Sequence, residues 1–211
     1  MRTYGKIDTL FERDESFRVM PDRLRRPVLA TINKWVVTEK IDGTNIRVDI
    51  RPHDGIDKVT FGGRSDNAQI SADLIQHLTE TFTVDKMAGL RKEPNVPITL
   101  FGEGYGAGIQ KGGAYRPDKS FILFDVLIAD EYWMPDDVVT EFAGRLGIER
   151  VPILGEMPLD EIIPLVRGGI KSHFGTAMAE GIVARPLEPL FDRRHERLIL
   201  KLKTKDFRGG K

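Results

Sequence analysis

No cysteine occurs anywhere in the 211 residues, which excludes disulfides, thiolate metal sites and a cysteine nucleophile, and fits a reducing compartment. Charge of one sign is also not in excess. Lys plus Arg and Asp plus Glu each number 32, so the formal net charge is zero and no global basic field marks a polyanion partner. Any nucleic-acid contact must then rest on local patches. No apolar run approaches the roughly 20 residues of a membrane span, and the opening MRTYGKIDTLFERDE lacks the apolar core of a signal peptide. The expectation is a soluble intracellular protein. The four histidines, His53, His77, His173 and His195, stand singly, which argues against a zinc site. G-x-S-x-G is absent, so a serine hydrolase of that type has no support. GEGYGAG is out of register with a dinucleotide fingerprint, and GAGIQKGG lacks the Gly-Lys-Ser/Thr ending of a P-loop.

What is present is a set of short strand patterns interleaved unevenly with helical ones. KWVVTEK reads as a strand that ends at Lys40 beside the turn IDGT. Beyond it Ile46, Val48 and Ile50 alternate with Asn45, Arg47, Asp49 and Arg51, the period of a strand with one buried and one polar face. VTFGGR (59–64), PITLFGEGYG, the nearly all-apolar FILFDVLIAD, EGIVARP and RLILKLKTKDF (197–207) are further strands. Ile70, Leu74, Leu78 and Phe82 recur at helical spacing with Ser71 as a cap. PDDVVTEFAGRLGI reads as a helix stopped by Gly147, and LDEIIPLV as a weaker one because of Pro164. No repeat or linker stands out. The pattern favours one α+β domain with mostly antiparallel sheets flanked by helices.

Three groups of residues could carry chemistry, each with a plain structural alternative. Lys40 is a loop charge or a nucleophile at the mouth of a sheet. Period two in the last strand sends Leu198, Leu200 and Leu202 one way and Lys201, Lys203 and Lys205 the other, which suits either a lysine-protected edge or a polyphosphate clamp. Glu103 and Glu180 lie at strand ends beside glycine, as turn residues or as contacts to a metal or a ribose hydroxyl.

Taken in order, these segments resemble the covalent nucleotidyltransferase superfamily of ATP-dependent ligases and capping enzymes. KIDG (40–43) is similar to the K-x-D-G nucleophile motif, LFGEGYG and LFDV to the third motif and the strand after it, EGIV to the fourth and LKLK to the fifth. Within the superfamily the chain looks like the RNA ligase 2 type of phage RNA-repair and editing ligases: EKIDGTN matches its E-K-x-x-G-T-N signature, and GGRSDNAQI its arginine motif at Arg64. Asn45 stands where DNA ligases and capping enzymes generally carry arginine. The resemblance implies a ligase-type adenylation fold, ATP and Mg²⁺ (or Mn²⁺) as cofactors, RNA ends or a nicked duplex as substrate, no membrane and no obligate protein partner. The compartment implied is the cytoplasm, including that of a phage-infected host. An ATP-dependent DNA ligase, or a non-catalytic nucleic-acid binder on a ligase scaffold, is the alternative.

The roles implied by the resemblance are these. Lys40 would attack the α-phosphate of ATP, with Lys201 and Lys203 assisting. Glu39, Asn45, Arg64, Glu103, Phe124 and Glu180 would contact the nucleotide: Glu180 would hold the metal, Glu103 the ribose, and Phe124 the adenine, unless that ring is an ordinary core aromatic. A lysine with a pKa of about 10.4 is only about 0.04 per cent neutral at pH 7, so Lys201 and Lys203 are expected to lower it, against Asp42 and Glu39. Arg64 is an expected nucleic-acid contact, as are Arg193, Arg194 and Lys205 in the final stretch from Asp192 to Lys211, which has eight Lys or Arg against three acids, and DRLRRP (22–27) is a second basic candidate. Family members continue past the fifth motif into an OB-fold or helical module, whereas this chain has eight residues after Lys203. The expectation is a single adenylation domain over 1–211, with a truncated chain as the alternative.

Overall fold

A computed structural model describes residues 1–207; Arg208 and Lys211, counted above among the basic tail, lie outside the described residues. The first strands are β1 (Asp8–Thr9), β2 (Phe11–Arg13), β3 (Val19–Leu24), β4 (Trp35–Lys40), β5 (Thr44–His53) and β6 (Ile56–Gly62). Helices α1 (Ala72–Thr81) and α2 (Val84–Gly89) follow, then β7 (Ile98–Tyr105), β8 (Ser120–Ile128), β9 (Tyr132–Trp133) and α3 (Asp136–Leu146). The chain continues through β10 (Glu149–Arg150), β11 (Ile153–Met157), α4 (Leu159–Gly168), β12 (Gly181–Pro186) and β13 (Leu200–Lys203). The architecture is α+β with mostly antiparallel pairing, as the sequence indicates. It forms two compact units: the first comprises Met1–Tyr4 and Asp42–Val151, the second Gly5–Ile41 and Pro152 onward.

The first unit is built on a six-stranded sheet ordered β10-β8-β7-β5-β6, with β9 paired to β8. Ile46, Val48 and Ile50 of β5 join Leu100 of β7 and Phe121, Leu123 and Val126 of β8 in one apolar face. Leu74 and Leu78 of α1, Met87 of α2, and Val139, Phe142 and Leu146 of α3 cover it. Both long helices end or begin as their sequences indicate, with Gly147 left-handed after α3 (φ 67°), but Ser71 makes no side-chain capping bond at α1. Helix α2 carries no signal in the sequence because its six residues are too few to show a period.

The polar face of β5 departs from expectation. Arg47 and Asp49 are buried instead of solvated. Both are paired, which is what makes burial of a charge tolerable. Arg51 donates to both oxygens of Asp49, at 2.6 and 2.8 Å, and Thr99 adds a third bond at 2.6 Å. The Met1–Tyr4 segment helps cover this face: the Tyr4 ring packs on Phe101, Phe124 and Trp133, and its hydroxyl donates to Asp125 at 2.9 Å.

The second unit has a five-stranded sheet ordered β1-β13-β12-β4-β11 and a separate β2-β3 pair. Trp35 and Val37 of β4, Ile182 and Ala184 of β12, and Leu200 and Leu202 of β13 form its buried face with Ile162 and Val166 of α4. Pro164 sits inside α4 without ending it. The final strand is shorter than the sequence pattern suggests: only Leu200–Lys203 joins the sheet, and Thr204–Phe207 coils into a 3-10 turn. Lys205 is therefore exposed on that turn and not on the lysine face of the strand.

Candidate active site

In the second unit, β12 lies between β4 and β13, and its first residue, Gly181, is in register with Lys40 on one side and Lys203 on the other. Val183, two residues along, faces Thr38 and Lys201 in the same way. Period two puts Thr38, Lys40, Lys201 and Lys203 on one face, opposite the leucine and isoleucine core. Gly181 is fixed by sterics, since a Cβ there would lie 2.0 Å from the carbonyl oxygen of Leu202. That close approach of β12 to β13 delivers Glu180, the residue before it, to both ammonium groups.

The Glu180 carboxylate bridges them. Its Oε2 lies 2.5 Å from Lys40 Nζ, and its Oε1 accepts a hydrogen bond from Lys203. Burial raises the Glu180 carboxyl's proton affinity, but the charge of Lys40 and the hydrogen bonds from Lys203 and Lys40 outweigh it and hold the group below the usual carboxylate range.

Glu39 is oriented differently from its neighbour. Its side chain turns to the core face and is fully buried. One oxygen accepts from Ser172 Oγ at 2.5 Å, and the other from the His173 amide at 3.0 Å and faces His173 Nδ1 at 3.1 Å. The carboxylate is thus turned away from Lys40 Nζ and saturated within the second unit, and the Glu39 amide donates to the Pro152 carbonyl at 2.9 Å. Ser172 and His173 were not singled out by any sequence pattern, because they lie in an irregular segment far along the chain. The expected contact of the Glu39 side chain with the nucleotide is not what this geometry offers, because adjacent strand residues point to opposite faces.

The first unit holds the remaining candidates. Gly43 of the KIDG turn packs on β7, where a Cβ would meet the Gly104 carbonyl oxygen at 2.3 Å and Glu103 Cγ at 2.7 Å. The Asp42 amide donates to the Tyr115 hydroxyl at 3.3 Å, a contact the sequence did not signal. Asn45 and Glu103 are in register across β5 and β7, and both are half-buried. The Asn45 Oδ1 is buried with no hydrogen-bond partner among the described residues, a costly state that a donor from a ligand would relieve. Phe124 is half-buried and stands where the β7-β8 register shifts, which separates it from the core leucines of its strand. Its ring meets Tyr4 edge-on at 5.1 Å. Arg64 is exposed on the loop after β6.

The outer basic residues are also ordered. Residues 191–197 close into a loop through pairing of Phe191 with Arg197 and bonds from the amides of Arg194 and Glu196 to Asp192 Oδ1, leaving Arg193 and Arg194 exposed. Arg26 of DRLRRP reaches Asp192 at 3.4 Å, so the two basic segments of the sequence meet in this unit. Among the described residues no cluster of three or more His, Cys, Asp or Glu is arranged to hold a metal, and no helix is long and apolar enough to cross a membrane.

The RNA ligase family model matches residues 33–203. Among solved structures, the Naegleria gruberi RNA ligase with pyrophosphate is 19% identical with a TM-score of 0.66, over 97% of this chain and 62% of that one. Two variants of the same enzyme with ATP and manganese are 18% and 20% identical, each with a TM-score of 0.67, and cover 98% and 96% of this chain. At these identities the likeness is one of fold. The chain spans about three fifths of the length of those structures (62%, 61% and 60%). No curated protein matches it.

Proposed function

The chain belongs to the RNA ligase family, and from that premise we propose that it is an ATP-dependent RNA ligase acting through a lysyl-AMP on Lys40. The observation that carries the reading is the Glu180 carboxylate bridging Lys40 and Lys203, with Lys201 two residues along the same face. An isolated edge lysine needs no such shared anion. The family match runs without a break through residues of both compact units, which supports reading 1–211 as one adenylation module.

In the first step the unprotonated Lys40 Nζ bonds to the α-phosphorus of ATP as the bond to the bridging oxygen breaks. Pyrophosphate leaves, and the nitrogen loses its extra proton to solvent. AMP then passes to the 5′-phosphate of an RNA end, and a 3′-hydroxyl displaces it to close the phosphodiester. Lys201 and Lys203 neutralise charge on the transferring phosphate. Glu180, the carboxylate shared by Lys40 and Lys203, suits a divalent ion that takes its other ligands from the triphosphate and water, as Mg²⁺ does; that ion would supply charge neutralisation of the phosphates. Glu180 pairs with Lys40 Nζ at 2.5 Å, so the carboxylate has to turn to another partner to leave that nitrogen open for attack. Asn45 offers its unpaired Oδ1 to the nucleotide, Glu103 the ribose contact and Phe124 a stacking surface, whereas Glu39, bonded to Ser172 and His173, holds the end of β4 in place. Arg64, Arg193, Arg194 and Lys205 contact the RNA backbone.

A panel of nicked duplexes with RNA, DNA or mixed strands tests the substrate. Sealing of 5′-phosphate to 3′-hydroxyl RNA ends, lost in Lys40→Ala, is the expected result. Sealing confined to DNA, or sealing that survives Lys40→Ala, contradicts the proposal.

A further inference from the structure

We infer that Arg47 is a positioning residue that holds the Arg64 loop in place for its anion. The inference rests on the reading of Arg64 as a contact to the nucleotide or the RNA 5′-phosphate. Arg47 lies on β5, opposite Gly62 of β6, and its side chain is only 1% exposed. Its donors flank Arg64 on both sides. Nε donates to the Gly63 carbonyl at 2.6 Å, and Nη2 to Asp66 at 2.9 Å. Nη1 reaches the carbonyls of Met1 and Arg2 at 3.3 and 3.4 Å, so the same group ties the loop to the Met1–Tyr4 segment.

The glycines before Arg64 follow from this arrangement. A Cβ on Gly62 would press to 3.0 Å from Arg47 Nη2, and one on Gly63 would meet Ala68 Cβ at 2.6 Å. The Ala68 amide closes the turn on the Ser65 carbonyl at 3.1 Å. The result is a loop pinned at residues 63 and 66 with Arg64 exposed between the pins. A guanidinium suits this task because its rigid, planar fork of five donors reaches acceptors spread around it, whereas the three donors of a lysine leave a single nitrogen. An arginine presented on a pinned loop loses less conformational freedom when it meets an anion than one on a free loop. Arg47 therefore acts on the substrate through Arg64, without touching it.

The test is a double-mutant cycle on the full chain, reading kcat/KM for sealing a 5′-phosphorylated RNA nick in wild type, Arg47→Gln, Arg64→Ala and the double variant. Each single change is expected to lower kcat/KM by roughly tenfold or more, and the double variant to be no worse than Arg64→Ala alone. Amide exchange across residues 63–68 is expected to quicken in Arg47→Gln. If the two losses multiply in the double variant, Arg47 acts elsewhere and the inference falls. If Arg64→Ala costs nothing, the reading of Arg64 falls and takes this inference with it, while lysyl-AMP formation on Lys40 stands or falls separately by mass. Should Arg47→Gln fail to fold, Asp66→Ala serves in its place, since that residue is 81% exposed. It is expected to lose activity only where Arg64 is present; an unchanged kcat/KM overturns the proposal.

Discussion

Each unit turns one apolar sheet face to its helices and carries charge on the other face, but the two charged faces are made differently. In the first unit Arg47 and the Asp49 carboxylate are each 1% exposed, and their partners are all protein groups. In the second, Lys40, Glu180 and Lys203 remain 21%, 15% and 22% exposed, and two ammonium groups share one carboxylate. A buried, saturated network has nothing left to offer a ligand and fixes structure. A partly exposed cluster with more cation than anion is poised to accept phosphate.

That contrast is broken most directly by removing one charge from each face. Lys203→Ala is expected to cost about 10²- to 10³-fold in lysyl-AMP formation while leaving the thermal midpoint almost unchanged. Asp49→Ala is expected to destabilise by about 1–3 kcal/mol, because it leaves the buried Thr99 hydroxyl without its acceptor while Arg51 keeps Asp130. Thermal melts and single-turnover mass measurements on both variants separate the two faces; a reversed pattern would show that the assignment of roles is wrong.

A smaller effect concerns pH. Glu180 is held below its ordinary value of 4.5, so its ion pairs stabilise the fold fully above about pH 4.5 and lose that contribution as pH falls through the folded value. Urea unfolding is expected to show wild type ahead of Glu180→Gln at pH 7, with the gap closing below pH 4.5. A gap independent of pH would mean that Glu180 acts by packing and not by charge. The smallest effect lies at the surface. Arg194→Ala is expected to change stability by no more than about 0.5 kcal/mol and to lower the salt slope of RNA binding by about one. An unaltered slope removes Arg194 from the RNA surface.

Much of this was legible before any coordinates. Helical spacing located α1 and α3, and the order of KIDG, GEG, EGIV and LKLK drew attention to Lys40, Glu103, Glu180, Lys201 and Lys203. The burial of Arg47 and Asp49 was not legible, since alternation reveals which residues share a face but not what covers it. The acceptors of Arg47 come from Met1, Arg2, Gly63 and Asp66, spread over distant sequence. The saturation of Glu39 likewise depends on Ser172 and His173, more than a hundred positions away (|i−j| of 133 and 134). Lys205 lies off the lysine face because the strand period ends at Lys203, where the chain leaves the sheet and coils into a 3-10 turn.

The central claim is that Lys40 is present to be adenylylated, and intact mass tests it most directly. Purified protein is weighed before and after ATP with Mg²⁺, beside Lys40→Ala, and the modified peptide is mapped. The account predicts a gain of one AMP on Lys40 in wild type only, reversed by pyrophosphate, or AMP already in place on purification. Folded wild-type protein that never carries AMP, or AMP mapped to another residue, would contradict it.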